Sequence, residues 1–105
     1  MTIAKVVTLR ARSSRITVLD DALTHARGAA AAEPGTTAWE WFPGADAHSR
    51  VIIELFADET AAAEHDASPA VELLLARFAD VLATDPDVRI YTRTPYATTT
   101  EEEST

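Results

Sequence analysis

A chain of 105 residues with 47% apolar side chains can build one domain around a single modest core. Its formal charge of −8 leaves no basic patch for a phosphate backbone, so nucleic acid is excluded as a partner. Cysteine is absent, which removes disulfides, zinc–thiolate sites and thiol nucleophiles.

In chain order, Ile3 to Arg12 alternates Lys5, Val7, Leu9 and Ala11 against Ala4, Val6, Thr8 and Arg10, the period of a strand. Its apolar run is too short for the h-region of a signal peptide. Charged residues interrupt every candidate for the roughly 18 apolar residues of a membrane span. A cytoplasmic protein without membrane association is expected. Thr17-Val18-Leu19-Asp20 has the form of a capping box, and Val18, Leu19, Ala22, Leu23 and Ala26 follow at helical spacing. Pro34 and Gly35 predict the end of that helix near Ala32.

Two strands, Thr36–Phe42 and Arg50–Ala57, flank Pro43-Gly44-Ala45-Asp46, which has the chemistry of a hairpin turn. Asp58 can cap a short helix running through Asp66. Ser68-Pro69 restarts helix, with the serine as cap and the proline at the first helical position. Val71, Leu74, Leu75, Phe78 and Leu82 form the expected buried stripe. Asp85-Pro86 breaks the helix and Val88–Thr94 makes a last strand. Residues 97–105 are polar and acidic, the composition of a disordered tail after a domain spanning 1–96.

The order β-α-β-β-α-β, with the second helix broken in two, predicts an α+β ferredoxin-like sandwich. Ile52 and Phe56 lie on one face of the third strand, and Val51, Ile53 and Leu55 on the other. That much apolar surface on the uncovered face predicts a second protomer packed against it, sheet to sheet, with Tyr91–Tyr96 reaching toward the partner.

Over about residues 3–94 the chain resembles the antibiotic-biosynthesis-monooxygenase-like family. The matching elements are Ala32-Glu33-Pro34-Gly35, Trp39 four residues later, Glu54 two residues before Phe56, Asp58-Glu59 opening a short helix, and His65 before Ser68-Pro69. The resemblance implies a homodimeric α+β barrel with a pocket between helices and sheet. It also implies activities such as cofactor-independent oxygenation of aromatic polyketides or quinols, haem degradation, or isomerisation of small signalling molecules.

The chain contains no asparagine or glutamine. The anthrone-oxygenase branch places an asparagine where Ile52 stands, a tryptophan where Phe56 stands and a tyrosine near Ala62. The haem-degrading branch needs an asparagine, an axial histidine near Leu75, and a tryptophan where His65 stands. Neither chemistry operates in its usual form here. The resemblance left is to quinol monooxygenases, which carry a histidine at the His65 position. No haem, flavin or metal is expected.

His65 is the candidate catalytic base, because an imidazole facing an apolar cavity can take a proton from a phenol near neutral pH. The alternative is a packing role at the helix junction. Glu54, on the face of Ile52 and Phe56, could orient His65 or, more simply, pair with Arg10 or Arg93 of a neighbouring strand. Trp39 and Trp41 could stack on a planar ligand, but a dimer core is their expected use. With Trp39, Ile52, Glu54 and Phe56 from the sheet, Leu75 and Phe78 from the long helix complete the candidate substrate pocket. His25 and His48 have no ligand spacing with His65, and Glu64-His65-Asp66 diverge around their helix, so no metal site is expected.

Two classes of function remain open on the sequence: a cofactor-independent monooxygenase of a small aromatic, quinol or polyketide-type substrate, and a non-catalytic dimer binding a hydrophobic metabolite. A pocket of at least about 300 Å³ reached by His65 would favour the first. A cavity filled by Trp39, Leu75 and Phe78 would favour the second.

Overall fold

The computed structural model describes residues 1–94; the expected tail at 97–105 and Tyr96 lie outside them. The elements are β1 (Thr2–Arg10), a 3-10 turn (Ser13–Arg15), α1 (Ile16–Ala30), β2 (Thr36–Pro43), β3 (Ser49–Phe56), α2 (Glu59–Asp66), α3 (Pro69–Val81) and β4 (Asp87–Arg93). The strands form one sheet in the order β2-β3-β1-β4, every pair antiparallel. This is the ferredoxin-like arrangement, with the helices on one face. None of the described helices is long and apolar enough to cross a membrane.

Strand alternation decides which residues the helices cover. Val7 stands opposite Ile52 across β1 and β3, and Trp41 opposite Ile52 across β2 and β3. On that face Val7, Leu9 and Ile52 join Leu19, Leu23 and Ala26 of α1 and Leu74, Phe78 and Val81 of α3 in the main core. Leu9, Leu19, Leu23 and Val81 are wholly buried, each contributing on the order of 1.5–3 kcal/mol of apolar transfer. On the opposite face Phe42, Ile53 and Tyr91 are exposed, Ile53 by 39%.

Two tryptophans therefore sit elsewhere than expected. Trp39 and Trp41 face the helices, not the uncovered side; Trp39 is buried in the core and Trp41 packs against it. Period-two alternation puts the pair on one face, but only the helix crossovers decide which face that is.

The ends of α2 and α3 follow local chemistry. The Asp58 carboxylate accepts from the Ala61 N–H at 2.8 Å, and the Ser68 hydroxyl accepts from the Val71 N–H at 3.3 Å. The capping box at Thr17–Asp20 does not form. The 3-10 turn runs directly into α1, whose N-cap is Arg15 without a side-chain cap. Asp20 is instead held by Arg50 of β3, Oδ1 to Nε at 2.7 Å. The stripe on α3 also differs: Leu74, Phe78 and Val81 are buried, whereas Leu75 is 55% exposed. Leu75 is one position, about 100° of helix, beyond Leu74, which turns it past the sheet toward the β4 edge.

Candidate active site

The Glu33-Pro34-Gly35 corner packs directly on α2. A Cβ placed on Gly35 would lie 2.4 Å from the Ala61 Cβ, so only glycine permits this approach. The close contact brings Glu33 against the last turn of α2. There Glu33 Oε1 lies 2.7 Å from His65 Nδ1 and also accepts the Thr36 hydroxyl at 2.7 Å. With a carboxylate as its neighbour, Nδ1 carries the proton and donates it.

The other ring nitrogen faces the sheet. Glu54, on the helix-covered face of β3, places Oε1 3.4 Å from His65 Nε2. Both residues are buried, His65 to 6% exposure and Glu54 to 7%. Phe56 backs the imidazole with ring centroids 5.1 Å apart. Lys5, opposite Glu54 in the β1–β3 register, holds Asp66 at 2.7 Å and lies 5.6 Å from the centre of the Phe56 ring.

Glu54 thus makes no ion pair with an arginine. Arg10 is at the far end of β1, bound to Asp46, and Arg93 stands opposite Thr2. The arginine pairing fails on register, which no pattern within β3 reveals. Glu33 is the residue whose place beside His65 the sequence reading missed. It lies 32 positions from His65, and its only signal was its place in the Glu-Pro-Gly corner.

Burial pushes the Glu54 carboxyl above its ordinary range, an effect that His65 and Lys5 oppose and Asp66 and Glu33 reinforce. A carboxyl with a raised folded-state pKa contributes stability below its unfolded value, and that contribution is lost as pH rises through the folded value. The stability difference between wild type and Glu54→Gln should therefore shift against wild type as pH climbs above 4.5. Parallel denaturant titrations across pH would measure it. A difference that stays flat with pH would show Glu54 ionising as an ordinary surface carboxylate does.

A cavity of about 190 Å³ opens beside this row, walled by Trp39, Ile52, Glu54, His65, Leu74 and Phe78, with Val7, Val71 and the Lys5–Asp66 pair completing it. Leu75, Pro86 and Val88 form its rim. Six of the seven candidate site residues therefore line one space. Phe56 does not: it is fully buried behind His65 with Ile3, Ala61 and Ala62. Trp39 Nε1 is buried and has no hydrogen-bond partner among the described residues. A groove of about 370 Å³ between α1 and α3 is larger, but the ionisable residues along it, Asp21, His25 and Arg77, are exposed. Among the described residues no cluster of three or more metal-ligand side chains occurs.

No protein-family model and no curated protein sequence matches the chain. Solved structures do. Rv0793 from Mycobacterium tuberculosis superposes with a TM-score of 0.85 at 20% identity, covering 93% of this chain and 100% of that one. A protein of unknown function from Nitrosomonas europaea gives 0.78 at 27% identity, covering 91% and 96%. A structure described as an antibiotic biosynthesis monooxygenase gives 0.81 at 18% identity, covering 89% and 99%. The chain has the ferredoxin-like α+β fold of the antibiotic-biosynthesis-monooxygenase-like proteins.

Proposed function

We propose that the chain is a cofactor-independent monooxygenase of a small aromatic or quinol, working as a cytoplasmic homodimer with His65 as its base. One observation carries this: a buried carboxylate–imidazole–carboxylate row, Glu33–His65–Glu54, beside an apolar cavity. Burying such a row costs free energy that apolar packing would not, and a pure binding pocket has no use for it.

Cavity size narrows the substrate. At about 190 Å³ the space is below the roughly 300 Å³ expected from the sequence for a catalytic pocket, but it is open, and a cavity of about 150 Å³ already accepts benzene. One ring fits, so a monocyclic hydroquinone suits the site better than a polycyclic anthrone. Loss of its proton gives a phenolate whose carbanion tautomer can pass an electron to dioxygen. Recombination at carbon forms a hydroperoxide, which loses water to leave the carbonyl of a hydroxyquinone. Oxygen uptake with hydroquinone, matched one to one by hydroxyquinone formed, tests this; a protein that consumes no oxygen with any quinol is instead a binder of hydrophobic metabolites.

The Trp39 ring walls the cavity, and we take its buried, unpartnered Nε1–H as a donor to a substrate oxygen, since such a donor costs roughly 1–3 kcal/mol when left unpaired. Trp39→Phe keeps a ring and removes the donor. It should raise KM roughly two- to tenfold, the scale of one neutral hydrogen bond, without lowering Tm. An unchanged KM would remove the donor from the site.

The dimer is supported by Phe42, Ile53 and Tyr91 on the sheet face away from the helices. Covering that face would bury about 2,000 Å² or more in total, as obligate interfaces do. Light scattering at micromolar concentration should give twice the chain mass, and a monomer would overturn the assembly.

A further inference from the structure

We propose that Glu54, and not His65, is the catalytic residue that touches the substrate, and that the proton of a phenolic hydroxyl reaches His65 through the Glu54 carboxyl while Glu33 positions the imidazole from behind. This rests on the reading of the cavity as a phenol-deprotonating site.

Nδ1 of His65 is turned away from the cavity, and Nε2 faces the Glu54 carboxyl. Nδ1 is taken by Glu33 at 2.7 Å, and Nε2 looks at Glu54 Oε1 at 3.4 Å. Phe56 lies against the ring, which is 6% exposed. A substrate hydroxyl therefore meets Glu54 first. Glu54 lines the cavity, and neither of its oxygens hydrogen-bonds to another described side chain, so Oε2 is available to a ligand.

The protonation states follow from who can donate. With Nδ1–H given to Glu33, one proton is left to share between Nε2 and Glu54 Oε1, and the relay places it at rest on Oε1. Two bare acceptors facing each other in a buried site repel; a proton on Oε1 turns the contact into O–H···N. Burial of the carboxyl favours that proton as well.

The transfer then balances. The substrate O–H bond breaks and its proton bonds to Oε2, while the Oε1–H bond breaks and that proton bonds to Nε2. The products are a phenolate, a neutral Glu54 carboxyl whose Oε2–H donates to the phenolate oxygen, and an imidazolium paired with the Glu33 carboxylate. Charge is conserved. The phenolate never stands beside a bare carboxylate, as it would if an ionised Glu54 and a neutral His65 were the resting pair without transfer.

Among the described residues, the charged groups around His65 are Glu33 from the corner after α1, Glu54 from β3, the Lys5–Asp66 pair joining β1 to α2, and Glu64, which shares a small surface pocket with Glu33 and His65. Lys5 is held by both oxygens of Asp66. Only Glu33 and Glu54 contact the imidazole nitrogens.

The test uses 4-nitrophenol under anaerobic conditions, whose phenolate band reports deprotonation on binding without turnover. Wild type should bind it as phenolate at a pH where free probe is mostly neutral. Glu54→Gln should lower the bound phenolate fraction about tenfold or more, the scale of one pKa unit. Glu33→Gln should move its formation to higher pH, because the imidazolium loses its counter-charge. Nitrogen NMR of ring-labelled histidine in the ligand-free protein supplies a second readout. The Nδ1–H tautomer should dominate in wild type and be lost in Glu33→Gln, with the Nε2 signal moving in Glu54→Gln. Undiminished phenolate in Glu54→Gln, or an Nε2–H tautomer in wild type, would overturn the relay; if the probe does not bind, the NMR result alone decides. A protein that deprotonates the probe yet consumes no oxygen with quinols would lose the oxygenase assignment and keep the relay.

Discussion

Replacing His65 by alanine should reduce turnover of a hydroquinone by roughly 10²–10⁴-fold, the usual scale for removing a general base. The loss should fall on kcat more than on KM, because the cavity walls of Ile52, Leu74 and Phe78 are untouched. The dimer should survive, since His65 sits on the helix-covered side and Phe42, Ile53 and Tyr91 on the other. His25→Ala is the control: His25 lines the α1–α3 groove and makes no contact with the carboxylate row. Equal losses in both variants would mean that the chemistry lies elsewhere. Full activity in His65→Ala would reduce the imidazole to a packing group at the junction of α2 and α3.

Phe56→Ala should cost about 3–5 kcal/mol of folding free energy, as large-to-small changes at sealed aromatic positions do. Phe56 is 0% exposed and fills the space between Ile3, Ala61 and Ala62 at the end of the sheet. For a domain of this size each kcal/mol is about 4 °C or more in Tm, so a fall well beyond 10 °C is expected by calorimetry. Activity measured well below the lowered Tm should also drop, because the ring that backs His65 at 5.1 Å is gone. A loss below about 1 kcal/mol would mean the site collapses around the cavity and that Phe56 does not hold the imidazole in place.

Recognition within a few residues was legible from the chain alone. The caps at Asp58 and Ser68-Pro69 formed as expected because a cap and the amide it satisfies lie three positions apart. The alternation of β1 and β3 was legible because a strand sends successive side chains to opposite faces. Even locally there was a limit. Thr17–Asp20 has the letters of a capping box, yet a 3-10 turn feeds α1 with its N-cap two residues earlier, at Arg15, and Asp20 serves Arg50.

What the chain by itself determined was the element order, and through it the ferredoxin-like fold with two apolar sheet faces. It also closed thiol and carboxamide chemistry, since cysteine, asparagine and glutamine are absent, and offered His65 as the candidate base. Only the tertiary structure decided which face each strand turns to the helices, placing Trp39 in the cavity wall and Leu75 at its rim. It alone joined Glu33, Glu54 and Lys5 around one histidine. Those partners come from a corner and two strands and the histidine from a helix end, and their distances depend on crossover paths and strand register. Such geometry is set by how whole elements pack on one another, and no periodicity within a single segment carries it.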